Sequence, residues 1–157
     1  MAKFSTSTAI AGTPQAASSS TLSTLSAYAA SSNPRRGKLY DLTFGTLGTP
    51  ADTSYAFTVA RQTAVATGGS AAGPNALDPA DATLTSIGYA NPTANGTVTA
   101  ASQVFYLGIN QRASYRWVAS PGSEFVWPAT ASNGFTLQMS SASGTAITTG
   151  MFLVDEQ

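Results

Sequence analysis

The chain has 157 residues, with seven Lys and Arg against seven Asp and Glu, and neither histidine nor cysteine. Charged residues make up 9% of it, against about a quarter in an ordinary soluble domain. Such a balance leaves no basic footprint for nucleic acid or an anionic membrane. Without His and Cys there are no disulfides, none of the usual zinc ligand sets, and no Ser-His-Asp or Cys-His nucleophile system. Apolar runs stay far below the length that spans a bilayer, and residues 1–17 carry one Lys but no continuous apolar stretch, so no secretory signal is expected. The composition predicts a non-enzymatic chain, made in a cytosol and soluble, that binds no cofactor or metal and covers much of its low-charge surface with a partner.

Residues 1–33 are dominated by Ser, Thr and Ala, with Ser18-Ser19-Ser20 and Ser31-Ser32 as low-complexity spots. Their few large apolar side chains (Phe4, Ile10, Leu22, Leu25, Tyr28) offer one short helical stripe at Leu22, Leu25 and Tyr28, too little to fold alone. This stretch is expected to be an extended N-terminal arm, ordered only against something else. Residues 34–157 are expected to form the folded domain. Tyr40, Leu42 and Phe44 alternate with Asp41 and Thr43, and Tyr55, Phe57 and Val59 with Ala56, Thr58 and Ala60, which is strand spacing. Gly45 to Pro50 reads as the turn-rich connection between them. Thr67 to Pro79 has no periodicity and predicts a long surface loop. Weaker strand signals follow at Ala82 to Tyr89 and Thr97 to Ile109, while Pro79 to Ser86 also suits a helical turn.

Asn110 to Gly134 concentrates the rare residue types: both tryptophans (Trp117, Trp127), Arg112, Arg116 and Glu124. Tyr115, Trp117 and Ala119 alternate with Ser114, Arg116 and Val118; Pro121-Gly122 marks a turn, and Phe125-Val126-Trp127 restarts a strand that Pro128 ends. The expectation is a strand, a tight turn and a second aromatic strand, tied by Arg112 and Arg116 to Glu124 and to backbone carbonyls. Phe135, Leu137 and Met139 alternate again. Met151, Phe152, Leu153 and Val154 are apolar at every position, which predicts a strand buried on both faces, in the core between two sheets or at a subunit interface. About eight short strands punctuated by turns predict an all-β antiparallel sandwich of jelly-roll type.

The candidate chemistry is sparse. Asn75, Asp78 and Asp81 could offer oxygens to Ca²⁺, but calcium wants about six to eight, and Asx caps on a turn explain them better. The glycines of Gly68 to Gly73 lack the Gly-Lys-Ser/Thr that completes a phosphate cradle. Only Glu124 sits among aromatics as a glycosidase carboxylate would. Tyr106, Tyr115, Trp117 and Trp127 read either as core packing or as a sugar-stacking platform. Arg35, Arg36 and Lys38, the sole basic cluster, stand where the arm meets the domain, placed to dock acidic groups of a protein partner.

Several stretches together resemble a known family: Pro34-Arg35-Arg36-Gly37-Lys38-Leu39-Tyr40-Asp41-Leu42, Gly48 to Asp52, Arg61 to Ala64, Ala76 to Asp81 and, most specifically, Asn110-Gln111-Arg112-Ala113 through Pro128-Ala129-Thr130 to Asn133-Gly134. Over Pro34 to Glu156 the chain resembles structural proteins of tailed bacteriophages, the capsid cement or decoration proteins with jelly-roll domains. The resemblance implies a virion protein on the outer capsid surface, a homotrimer bridging neighbouring major capsid proteins, with no direct contact to nucleic acid or membrane. Trimerisation through one sheet would give the Met151 to Val154 strand a purpose. The alternative is a carbohydrate-binding or host-adhesion module displayed on the virion; a small hydrolase is disfavoured by the missing His and Cys.

Overall fold

The period-two alternation at Tyr40 to Phe44, Tyr55 to Val59 and Phe135 to Met139 is realised as strands in a computed structural model, which describes residues 2–9, 16–17, 21–49, 51–141 and 146–157. In chain order the strands are β1 (Ala2–Ser7), β2 (Ala16–Ala17), β3 (Leu22–Tyr28), β4 (Gly37–Leu47), β5 (Ser54–Gln62), β6 (Ser70–Ala71), β7 (Asn75–Ala76), β8 (Ile87–Ala90), β9 (Val98–Asn110), β10 (Tyr115–Val118), β11 (Phe125–Trp127), β12 (Gly134–Ser141) and β13 (Ala146–Glu156). The protein is all-β, with no helix among the described residues. A front sheet runs β10-β4-β13-β1-β7, with β11 also on β4 and β2 on β13; a back sheet runs β6-β8-β3-β12-β5-β9. Every pairing is antiparallel, and four of them are nested: β1 with β13, β3 with β12, β4 with β10, and β5 with β9.

The inward positions of the two sheets fill one core. Phe4, Leu39, Leu42, Phe44, Phe152 and Val154 from the front sheet meet Leu25, Tyr55, Phe57, Val59, Phe135, Leu137 and Met139 from the back sheet, all essentially without exposure. Trp127 closes one end of this core, and its indole N–H donates to the Arg35 carbonyl at 3.2 Å. Gly37 lies directly under that indole, where any side chain would run into the ring. Burying a Trp therefore requires a glycine beneath it.

The expected N-terminal arm is corrected by this arrangement. β1 is an interior strand of the front sheet, paired with β13 over six residues, and β3 is an interior strand of the back sheet between β8 and β12. Phe4, Leu25 and Ala27 are core residues, so the described part of residues 1–33 belongs to the domain rather than preceding it. The stripe of Leu22, Leu25 and Tyr28 is strand, not helix. Small residues explain the misreading: β3 is buried along six of its seven positions by Ser, Thr and Ala as much as by Leu, so neither face stands out. Ile10 and Ser18 to Ser20 lie outside the described residues.

Three other expectations change. β10 and β11 do not form a hairpin; both run antiparallel to β4, at Asp41–Phe44 and Gly37–Leu39, so they lie end to end along one edge. The stretch from Ala82 joins a strand only at Ile87, and Pro79-Ala80 form a turn closed by the Asp81 N–H on the Asp78 carbonyl at 3.0 Å. Residues 82–86 are pinned instead by Glu156, whose buried carboxylate accepts the Ser86 N–H at 2.6 Å and the Thr85 N–H at 3.1 Å. The loop from Thr67 to Pro79 contains β6 and β7 and buries Ala72.

The outer face of the back sheet is covered over β3 and part of β12 and left open at β9. β5 lies near one edge and β6 at the other, so residues 63–69 must cross β12, β3 and β8, and residues 91–97 cross back from β8 over β3, β12 and β5 to β9. The core occupies the inner side, which leaves the outer side for both crossings. They are stitched together by the Thr67–Ala94 bridge, by Thr63 N–H on the Thr97 carbonyl at 2.9 Å and by Thr93 N–H on the Thr67 carbonyl at 2.9 Å. The Asn95 side chain fastens them to β3, accepting the Ser23 N–H at 2.7 Å and donating to the Thr21 carbonyl at 2.8 Å. Beneath this cover the polar side chains of Ser26, Gln62, Thr136 and Gln138 are buried.

Candidate functional site

Among the described residues the outer face of the front sheet is partly exposed. β13 alternates strictly, with Phe152 and Val154 inward and fully buried, and Met151 and Leu153 outward and half-buried. The two-faced apolar strand thus has one face in the core and one on the outside. Register places Leu153 between Ser5 of β1 and Asp41 of β4, and Met151 between Ser7 and Thr43. Met151 thus lies between two small hydroxyl residues, and Leu153 between a serine and the Asp41 carboxylate. Val118, opposite Asp41 on β10, is 56% exposed, and Leu47 at the end of β4 is 55% exposed. Beside Met151 the surface dips into a concavity of about 480 Å³ lined by Ser7, Thr43, Leu47, Ser114 and Thr149.

The charge on this face is neutralised internally. Asp41 is buried, and Arg116 grips its carboxylate through Nε at 3.0 Å from Oδ1 and through Nη2 on Oδ2. Hydrogen bonding to Asp41, and then the charge of that carboxylate, push the Arg116 pKa up. A bidentate guanidinium pair is directional, so the two charges are spent on each other beside Leu153. The surface offers shape and apolar area with little net field.

Near the other end of β4, Lys3, Lys38, Tyr40, Glu124 and Asp155 line a smaller dip of about 240 Å³. The Lys3 ammonium sits 5.5 Å from the Tyr40 ring centroid. Glu124 accepts the Gly122 N–H at 3.2 Å, and backbone hydrogen bonds, first its own and then that of Gly122, hold its pKa below the ordinary value, with Lys38 adding to the shift. Among the described residues no three His, Cys, Asp or Glu side chains gather as a metal site would need, and no helix is long and apolar enough to cross a membrane. No family model, curated protein or solved structure matches the chain.

The expected tie of Arg112 and Arg116 to Glu124 is corrected: Arg116 takes Asp41, and Arg112 takes Asp52 at 3.0 Å. Sequence proximity suggested Glu124, but the edge pairing of β10 sets Arg116 beside Asp41 instead. Asn110 and Gln111 build the turn between β9 and β10. Asn110 Oδ1 accepts the Arg112 N–H at 2.9 Å; Gln111 accepts the Ala51 N–H at 2.9 Å and, through its carbonyl, the Thr46 hydroxyl at 2.6 Å. This motif locks the connection between β4 and β5. Arg35 and Arg36 are exposed, and their carbonyls accept the Trp127 indole N–H and the Gln157 N–H. Asp78 caps its own turn through the Ala80 N–H at 2.9 Å, and Asp81 accepts the Lys3 N–H at 3.2 Å.

The aromatics divide. Trp127 is core, whereas Trp117 is half-buried and stacks on Phe125 with centroids 4.3 Å apart and planes 8° from parallel. Tyr115, Phe105, Trp117 and Phe125 form a row between β9 and the β10–β11 edge, where the sandwich has no connecting strand. Tyr115 is 39% and Tyr106 70% exposed. Asp41, Leu47 and Val118 were not singled out by sequence. Their signal was weak: one acidic residue facing outward among apolar strand neighbours, and two apolar residues at outward positions.

Proposed function

We propose that this chain is a virion structural protein of a tailed bacteriophage, a jelly-roll cement protein that docks on the outer capsid surface through the outer face of its front sheet. The observation that carries the reading is that face: Val118 and Leu47 exposed, and Met151 and Leu153 half-buried, around an ion pair closed on itself. A protein that clamps a shell needs apolar, shape-matched contact with few unpaired charges, and this face supplies it. The basic cluster Arg35, Arg36 and Lys38 lies at the start of β4, where acidic groups of the major capsid protein could reach it. Nesting of the strand pairs supports the jelly-roll reading. Eight strands (β1, β3, β4, β5, β9, β10, β12, β13) pair first with last, second with seventh, third with sixth and fourth with fifth, as one long hairpin rolled into a double sheet would.

The test is binding to empty shells of the major capsid protein encoded by the same genome. The wild-type chain is expected to co-sediment with the shells and raise their melting temperature, and Met151→Asp and Leu153→Asp are expected to abolish both effects. Co-sedimentation that survives both substitutions would refute docking through this face. A second reading, a carbohydrate-binding adhesion module, is favoured by one observation: Tyr106 stands exposed beside Gly108 at a dip of about 460 Å³ bordered by Ser54, Ser140 and Ser141. Binding on a glycan array that Tyr106→Ala removes would establish it.

A further inference from the structure

The four sheet edges are not alike. Three end in short strands: β6 and β7 with two residues each, and β10 and β11 with four and three. Short edge strands are one way a sheet avoids pairing with a stranger. The fourth edge is β9, 13 residues long without a single Lys, Arg, Asp, Glu or Pro. β5 takes one side of it, and among the described residues no strand takes the other. Its first half is irregular: Ala101 has φ 54°, and the register with β5 shifts on both sides of Ala60. Bulges of this kind turn an edge away from new partners. From Phe105 to Asn110 the ladder is regular, and there the edge is open.

We propose that this open edge pairs antiparallel with the same segment of a second copy of the chain, about a twofold axis through Leu107. Opposed residues of an antiparallel pair must point to the same face, so a one-residue slip is forbidden. Centring on Leu107 sets Leu107 against Leu107 and Phe105 against Ile109 on the inner face, and Tyr106 against Gly108 on the outer face. Tyr106 is 70% exposed, and a side chain added at Gly108 would meet nothing within 4 Å. A ring laid across a cross-strand glycine covers the backbone that the glycine leaves bare. Each copy brings both the ring and the bed, so the contact forms twice. The alternative centre on Tyr106 would set Gly108 against Val104, which the irregular register takes out of the ladder. A paired segment without charge brings two copies together without like-charge repulsion, and it offers an acidic or basic partner nothing to hold. This inference stands independently of the virion reading, because the edge lies away from the outer face of the front sheet.

Sedimentation equilibrium of the full chain over a wide concentration range tests it. The wild type is expected to reach twice the 15.9 kDa chain mass. Gly108→Lys and Tyr106→Lys each place a charge in the paired segment and are expected to remain single chains at concentrations where the wild type is fully dimeric. Far-UV circular dichroism and melting temperature are the check that both variants fold; Tyr106→Lys alters only an exposed side chain and carries the test if Gly108→Lys does not fold. A wild-type chain that stays at single-chain mass, one that reaches three times that mass, or folded variants that dimerise with wild-type affinity would each overturn the proposal.

Discussion

The outer faces of the two sheets invert the usual rule. The back sheet turns Ser26, Thr136, Gln138 and Gln62 outward, yet these are buried under two crossing connections; the front sheet turns Met151, Leu153 and Val118 outward, the first two half-buried and the third exposed. In an antiparallel sandwich the apolar set normally faces the core and the polar set faces water. Here chain topology decides which outer face is hidden. The connections from β5 to β6 and from β8 to β9 have to cross the back sheet, and small polar residues let them lie close. Among the described residues no connection crosses the front sheet around β13, and its outward apolar residues are half-buried or exposed. A face both apolar and uncovered is the usual mark of a surface awaiting a partner.

Substitutions can probe that contrast, and the core beneath both faces sets the upper limit. Trp127→Ala should cost about 3–5 kcal/mol in urea unfolding, whereas Trp117→Ala at the open side should cost less than half as much. Equal losses would mean that the side between β9 and β10 is sealed. Next in size is the cover of the back sheet. Asn95→Ala removes the side chain that satisfies the Ser23 N–H and reaches the Thr21 carbonyl, and should cost about 1–3 kcal/mol. It should also speed amide exchange at Ser26 and Thr136; unchanged exchange there would show that the crossings do not depend on this anchor.

A smaller effect comes from Tyr28, on the covered side. Burial first, and then Tyr89, raise its pKa above the ordinary 10.0. The native state therefore keeps a proton that the unfolded state loses above pH 10. The Tyr28 contribution to stability is intact below that pH and is lost as pH rises through the folded-state value. The urea midpoint should fall on the alkaline side, and Tyr28→Phe should flatten that fall; an identical alkaline profile in the variant would place Tyr28 in water. Smallest is the front face itself: Leu47→Ser, at a side chain 55% exposed, should change stability by about 0.5 kcal/mol or less. A large loss would mean that the face is needed for folding.

The strongest strands were legible because large apolar residues alternate with polar ones, as at Tyr55 to Val59 and Phe135 to Met139. β1 and β3 were not, because their strand positions are filled mostly by Ser, Thr and Ala. Such residues can be buried on either face and leave no alternation to read. The apolar run of Met151 to Val154 was visible, but the expected burial on both faces holds only for Phe152 and Val154, with Met151 and Leu153 half-buried on the outside. The partners of Arg112 and Arg116 were hidden, since Asp52 and Asp41 lie more than 50 residues upstream and come close only through the β4 edge and the turn at Gln111. The covering of the back sheet was equally invisible: residues 63–69 and 91–97 look like ordinary loops until the strand order makes them cross.

A cryo-EM reconstruction of shells decorated with the wild-type chain tests the central claim most directly. The account predicts that the outer face of the front sheet meets the shell, with Leu153 and Met151 in contact and the Arg116–Asp41 pair intact beside them. Decoration through the covered back sheet, or shells that carry no density for the chain at saturating concentration, would contradict it.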